Sequence, residues 1–195
     1  KITLFNMSNK NFFTCKNCLN MSTRPRIEFD KNGWCNACVW MREKKTLDWK
    51  KREKELHNLF KTYKSESDFD CIVPVSGGKD GSYIAYTLKK KYKKNPLCVN
   101  VTPPLPLKLG EKNLKNFIKS GFNVIQLNLD PVVMRHLDRI GFIEKGIPYF
   151  GWHTAIRTAV IKTALKFNIP LIFYGEDGEV EYGGSTETKN SSLFP

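Results

Sequence analysis

Cys71-Ile72-Val73-Pro74-Val75-Ser76-Gly77-Gly78-Lys79-Asp80-Gly81-Ser82 is the stretch that decides the fold. Five largely apolar residues read as a buried strand, and Ser82 to Tyr92 reads as a helix. The glycine loop between them presents backbone N–H groups to an anion at the helix start. Two adjacent glycines let the backbone approach phosphate oxygens closely. Lys79 adds a positive charge, and Ser76 and Ser82 add hydroxyl donors. The G-x-x-x-x-G-K-[ST] spacing of a Walker A loop is absent. A plain Gly-rich strand–helix turn is the simpler alternative. The Lys79-Asp80 pair and its placement at the helix start favour a phosphate loop.

Outward from this loop, strands and helices alternate. Cys71–Val75, Leu97–Val101, Asn123–Asn128 and Leu171–Tyr174 read as strands. Ser82–Tyr92, Glu111–Ser120, Pro131–Ile140 and His153–Phe167 read as helices. This alternation predicts an α/β fold with a doubly wound parallel sheet. Ligands in such sheets bind beyond the carboxyl ends of the strands. The loops after Val75, Val101, Asn128 and Tyr174 are therefore expected to line one site. Val101 and Thr102 join the loop residues Ser76, Gly77, Gly78, Lys79, Asp80, Gly81 and Ser82 as candidate nucleotide contacts. A domain of this type usually has at least five strands, so further C-terminal sequence is expected to belong to it.

Upstream, Leu47–Tyr63 reads as an amphipathic helix carrying Trp49, Leu56, Leu59, Phe60 and Tyr63 on its apolar side. Before it lie Cys15-x-x-Cys18 and Cys35-x-x-Cys38, separated by sixteen residues. Each C-x-x-C puts two thiolates on one tight turn, and two such turns complete a tetrahedral S₄ site. A zinc ribbon is expected, with structural Zn²⁺, because four protein thiolates leave no open coordination position. Two disulfides or an iron–sulfur cluster are the alternatives. Disulfides fit a cytoplasmic protein poorly. Cys71 and Cys98 lie in apolar runs and read as core residues. The division expected is residues 1–45 as the zinc module, 46–68 as a linker helix and 69–195 as the nucleotide domain.

The 195 residues are 41% hydrophobic with a formal charge of +13, and no run approaches the length of a membrane span. Residues 1–11 hold no apolar run of signal-peptide length, so a cytoplasmic protein is expected. The basic excess lies mainly in residues 1–64, where Lys and Arg outnumber Asp and Glu by more than two to one. Such an excess attracts polyanions or nucleotide-linked substrates. Solvated Lys-rich helix faces are the commoner cause, and nucleic acid is not the expected partner.

The loop Ser76–Ser82 resembles the SGGxDS signature of the PP-loop ATP pyrophosphatases, which cleave ATP to AMP and pyrophosphate. The match departs at Gly81, where the signature has Ser, and Ser82 offers a hydroxyl one residue later. The wider pattern is narrower in its resemblance. Cys15-x-x-Cys18, Ser22-Thr23-Arg24-Pro25, Ile27, Phe29-Asp30, Gly33 and Cys35-Asn36-Ala37-Cys38 are similar to the start of the N-acetyl sugar amidotransferases. Asp48-Trp49, Asp70 to Asp80, Asn95-Pro96-Leu97, Gly121-Phe122, Gly175-Glu176 and Glu181-Tyr182-Gly183-Gly184 continue the likeness over most of the chain.

That resemblance implies a PP-loop (adenine nucleotide alpha hydrolase-like) fold using ATP and Mg²⁺. It implies conversion of the acetamido group of an N-acetyl sugar, often nucleotide-linked, to an acetamidino group. The products serve bacterial surface polysaccharides or flagellar sugars of the pseudaminic and legionaminic type. Ammonia comes from a separate glutaminase subunit in such systems. Lys79 is then the phosphate clamp, and Asp80 holds Mg²⁺ or orients the loop, unless it merely caps the helix. Glu176, with Asp177 beside it, binds metal or positions ammonia. Glu181, Tyr182 and Gly183 contact the sugar. His153 is a candidate acid/base, although a histidine at a helix start is more often structural.

Two other functions compete. A tRNA-modifying PP-loop enzyme, such as a thiolase, also joins a zinc module to this loop, and the basic first 64 residues suit RNA. Only Cys98 follows Ser82, which argues against sulfur transfer. A zinc-ribbon interaction module with an inactive nucleotide fold is the third reading, opposed by the intact Lys79 and Asp80.

Overall fold

The structure is a computed structural model that describes residues 12–175 and 178–186. The chain divides into two units. Unit 1 comprises the described parts of residues 1–53 and 177–195, and unit 2 is Lys54–Glu176.

In unit 1, each C-x-x-C region sits beside a short antiparallel bridge, Thr14 with Met21 and Phe29 with Cys35. Helix α1 (Asn36–Lys44) begins directly after Cys35. Cys15, Cys35 and Cys38 form one buried cluster, with Ile27, Phe29, Trp34 and Ala37 packed around them. A 3₁₀ turn, Glu179–Tyr182, packs on α1. The Asn36 side-chain amide donates to the Gly184 carbonyl, and Lys44 lies 3.9 Å from Glu181. Residues near the C-terminal end of the chain thus group with the N-terminal module. This differs from the contiguous division that the sequence suggests, and these two side-chain contacts are the physical reason.

Helix α2 (Trp49–Thr62) follows, and its residues from Lys54 belong to unit 2. Unit 2 is built on three parallel strands in the order β1 (Cys71–Pro74), β2 (Pro96–Val101), β3 (Asn123–Leu127). Val73 stands opposite Cys98, and Val99 opposite Ile125. On the other side of β1, Ile72 N–H donates to the Leu171 carbonyl and Phe173 N–H to the Ile72 carbonyl, both at 2.8 Å. Residues 171–173 therefore add a fourth parallel pairing, reduced to one bridge, Ile72 with Ile172. The full strand expected over Leu171–Tyr174 is shorter: the next bond of this ladder would come from the N–H of residue 74, and Pro74 has none.

Helices α3 (Lys79–Lys90), α4 (Lys108–Lys119), α5 (Pro131–Lys145) and α6 (Phe150–Lys166) complete the unit. Side chains alternate across the sheet as strand geometry requires. Cys71, Val73, Val75 and Cys98 pack with Phe60, Ala85, Leu88, Leu114 and Phe122. Ile72, Leu97 and Val99 pack with Val160, Ala164 and Ile169. Helices on both faces make the sheet doubly wound, as expected. Each fully buried aliphatic side chain contributes roughly 1.5–3 kcal/mol. Burial pushes the Cys71 and Cys98 thiols up to about 12, which suits inert core residues.

Helix α5 shows how local sequence sets an element's ends. Asp130 accepts from the N–H groups of Val132 and Val133, Pro131 opens the first turn, and Gly146 closes it in the left-handed conformation. Among the described residues, no helix is long and apolar enough to cross a membrane.

Candidate functional site

The chain leaves β1, runs through β2 and β3, and returns to the opposite side of β1. The end of β1 is thus where the winding direction reverses, the position at which open α/β sheets hold ligands. The loop Ser76–Gly78 sits there. Val75 N–H donates to the Val99 carbonyl, and the buried Asn100 side chain donates to the Val75 carbonyl at 2.8 Å. The strand exit is therefore pinned on both its backbone groups.

Gly77 has a φ of +82°, and a Cβ there would meet the Gly110 carbonyl oxygen at 2.6 Å. Only glycine satisfies both constraints. Ser76 Oγ accepts from Gly78 N–H at 3.3 Å. Helix α3 then starts at Lys79 with Gly78 extended before it, and no side chain caps the helix end. Asp80 does not cap it. The first N–H groups of a helix have no partner within it and favour negative charge. Lys79 Nζ lies 2.6 Å from Asp80 Oδ1, with 88% and 57% of the two side chains exposed. So exposed a pair is worth little and separates readily for another ligand.

The structure accounts for Gly81. A Cβ at this position would run into the Pro74 carbonyl oxygen, because α3 lies tight on the end of β1. Ser82 lies on the first turn of the helix. Its hydroxyl donates to the Gly78 carbonyl at 2.7 Å, one turn back in the helix.

A cleft of about 250 Å³ opens beside this loop. Ser76, Gly78, Asp80 and Gly81 form one wall, and Asn100, Val101, Trp152 and Ile156 form another. Trp152 Nε1 donates to the Val101 carbonyl at 3.4 Å. Of the two expected contacts after β2, Val101 lines this cleft. Thr102 lines a neighbouring one of about 470 Å³, with Pro103, Pro104, Met134 and Tyr149. The Thr102 hydroxyl is tied to Asn128 Oδ1 at 2.7 Å and Gln126 Nε2 at 3.2 Å. His153 is exposed on α6, its ring 5.4 Å from that of Trp152, and it lines neither cleft. Glu176 and Asp177 lie outside the described residues. Glu181, Tyr182 and Gly183 belong to unit 1, beside α1.

Trp152 and Asn100 are site residues that the sequence reading did not single out. Trp152, Ile156 and Val160 recur every four residues and share one helix face, a signal legible in the sequence. Asn100 has a weaker signal, a lone polar residue inside an apolar strand.

In unit 1 the four cysteine Sγ atoms lie within 4.8 Å of one another. Cys15 and Cys38 sulfurs are 3.8 Å apart and those of Cys18 and Cys35 3.5 Å. Tetrahedral coordination at the usual Zn–S length needs sulfurs about 3.8 Å apart. Backbone N–H groups of Cys35 and Asn17 donate to Cys15 Sγ at 3.1 and 3.4 Å, and the Asn17 side chain donates to Cys38 Sγ at 3.2 Å. Burial alone would raise the Cys15 pKa, but these backbone hydrogen bonds outweigh it and bring the thiol to about 6. Burial pushes Cys38 up to about 12. Donor set, spacing and N–H···S bonds all fit a structural zinc ion.

No protein-family model matches the chain. An uncharacterized protein of Methanocaldococcus jannaschii is 33% identical over 107 residues, which is 54% of this chain and 38% of the relative. The match thus spans well under half of the relative's length. A crystal structure described as a predicted subunit of tRNA methyltransferase from Methanocaldococcus jannaschii aligns with 58% of this chain and 56% of its own. The identity is 24% and the TM-score 0.38.

Proposed function

We propose that the chain is a PP-loop-type enzyme that uses ATP to adenylate an amide oxygen and lets ammonia displace the AMP. The observation that carries this reading is the uncapped start of α3, with Lys79 and Asp80, at the reversal point of the sheet. An amide carbonyl is a poor electrophile with a poor leaving oxygen. Transfer of AMP from ATP to that oxygen expels pyrophosphate and creates a good leaving group. Ammonia then adds to the carbon, AMP departs with the former carbonyl oxygen, and a proton is released to leave an amidine.

Lys79 and the loop N–H groups would hold the departing pyrophosphate, where negative charge builds up. Asp80 has the exposed carboxylate that Mg²⁺ requires, and the ion would neutralise phosphate charge. The acceptor proposed is the acetamido group of an N-acetyl sugar, on the strength of the sequence resemblance from Cys15 to Gly184. Ammonia would come from a separate glutaminase. A second reading, tRNA modification by the same adenylation chemistry, is favoured by the basic excess in residues 1–64.

One experiment tests both: pyrophosphate release from ATP, with ammonium present, across nucleotide-linked N-acetyl sugars and tRNA. Release that depends on an N-acetyl sugar, with an oxygen-to-NH mass change in the product, supports the first reading. Release that depends on tRNA alone replaces it with the second. Lys79→Ala is expected to lower release about 10²–10³-fold. Unchanged release in that variant removes the loop from the chemistry.

A further inference from the structure

Unit 1 contains a cavity of about 590 Å³ on the face of the cysteine cluster, lined entirely by its own residues. The size is that of a small-molecule site. Its lining pairs cations with flat rings: Arg24, Arg42 and Lys45 with Trp34 and Tyr182, and Glu181 at the edge. Arg42 and Lys45 lie one turn apart at the end of α1. The Arg42 guanidinium stacks over the Trp34 ring at 4.8 Å and lies 3.7 Å from Asp30 Oδ2. Tyr182 is 61% exposed although it lines the cavity. Its exposure leaves ring area for a ligand to cover.

Forked guanidinium groups recognise phosphate oxygens, aromatic faces take a planar base, and a carboxylate accepts from sugar hydroxyls. We propose that this cavity binds a nucleoside diphosphate, the carrier of a nucleotide-linked substrate. Arg24 and Lys45 hold the diphosphate, Arg42 stacked on Trp34 forms the wall behind it, Tyr182 takes the base, and Glu181, beside Lys44, takes a hydroxyl. As the anchor for the substrate carrier, the assignment rests on the sugar reading above. As a binding site it stands or falls by its own measurement.

The test is calorimetric titration of the zinc-loaded full chain with uridine diphosphate, in wild type, Lys79→Ala and Arg24→Glu/Lys45→Glu. Both residues of the double variant are exposed, so folding is expected to persist, and zinc content and thermal unfolding check this. Wild type and Lys79→Ala should bind alike, and the double variant should bind about tenfold or more weakly. Absence of binding in wild type overturns the proposal. So does binding lost in Lys79→Ala but kept in the double variant, which would put the nucleotide on the phosphate loop. If the cations only balance the charge of the zinc thiolates, the double variant loses zinc while wild type binds no diphosphate. If single-stranded RNA displaces the diphosphate and binds far more tightly through the same cations, the cavity is an RNA face. Diphosphate binding without sugar-dependent pyrophosphate release would leave the site standing and remove the sugar reading, so the two failures are separable.

Discussion

In unit 2 the most buried side chains are apolar and come from both faces of a sheet: Ile72, Val73, Val99 and Val160, each within 2% of full burial. In unit 1 the two fully buried side chains are cysteines, Cys15 and Cys35; Val180 and Trp40 are buried as well, while Ile27, Phe29 and Trp34 are only partly so. One unit is held by apolar burial on two layers, the other by four sulfurs converging on a point. A segment too short to bury enough surface needs such a centre. The candidate surfaces differ in the same way. The loop at the end of β1 is positioned by backbone packing, through Gly77, Gly81 and the Asn100 bond to Val75. The cavity of unit 1 is positioned by side chains around the cluster.

The strongest way to break this contrast is to remove one of the four cysteines that could hold a metal ion. Structural zinc contributes on the order of 10 kcal/mol to folding of such a module. Cys35→Ser is expected to lose zinc and unfold unit 1 while the sheet of unit 2 keeps its protection. Metal analysis with hydrogen exchange reads both, and collapse of both units together would refute their independence. Gly81→Ala probes the other side. Its methyl would meet the Pro74 carbonyl, so a loss of about 1–3 kcal/mol in unit 2 is expected, with zinc retained. Thermal unfolding checks this, and an undiminished melting point would mean that α3 can shift from β1.

Smaller changes sharpen the comparison. Trp152→Phe keeps an aromatic wall on the cleft but loses the bond to the Val101 carbonyl, worth about 1 kcal/mol. A few-fold weaker apparent affinity for ATP is expected, with nucleoside diphosphate binding to unit 1 unchanged. Asp30 is the mildest case. Its carboxylate accepts from the N–H groups of Trp34 and Asn32 at 2.9 Å, and these bonds hold its pKa below the ordinary value. Asp30→Ala should loosen the turn before Cys35 and speed zinc transfer to a chelator modestly, without effect on pyrophosphate release.

Strand and helix order, the glycine loop at the start of α3 and the clustering of the four cysteines were legible because each rests on local patterns. Apolar runs between turn residues mark strands, and paired C-x-x-C turns mark a tetrahedral site wherever the chain folds them together. Gly81 was not legible. Read as a departure from SGGxDS it suggested a lost hydroxyl, and only the packing of α3 on Pro74 gives its reason. Nor was the grouping of Glu181–Gly183 legible, since it depends on the Asn36 bond to Gly184 across most of the chain.

The amino-acid sequence by itself determined the alternating elements, the glycine loop between strand and helix and the paired spacing of the four cysteines, because periodicity and short spacing act within a few residues. Tertiary structure alone decided which side chains share a cleft. It brought Trp152 and Asn100 to the loop, left His153 exposed and separated Val101 from Thr102. Contacts between residues 25 and 51 positions apart depend on how strands and helices pack in a twisted sheet, and no local pattern encodes that packing.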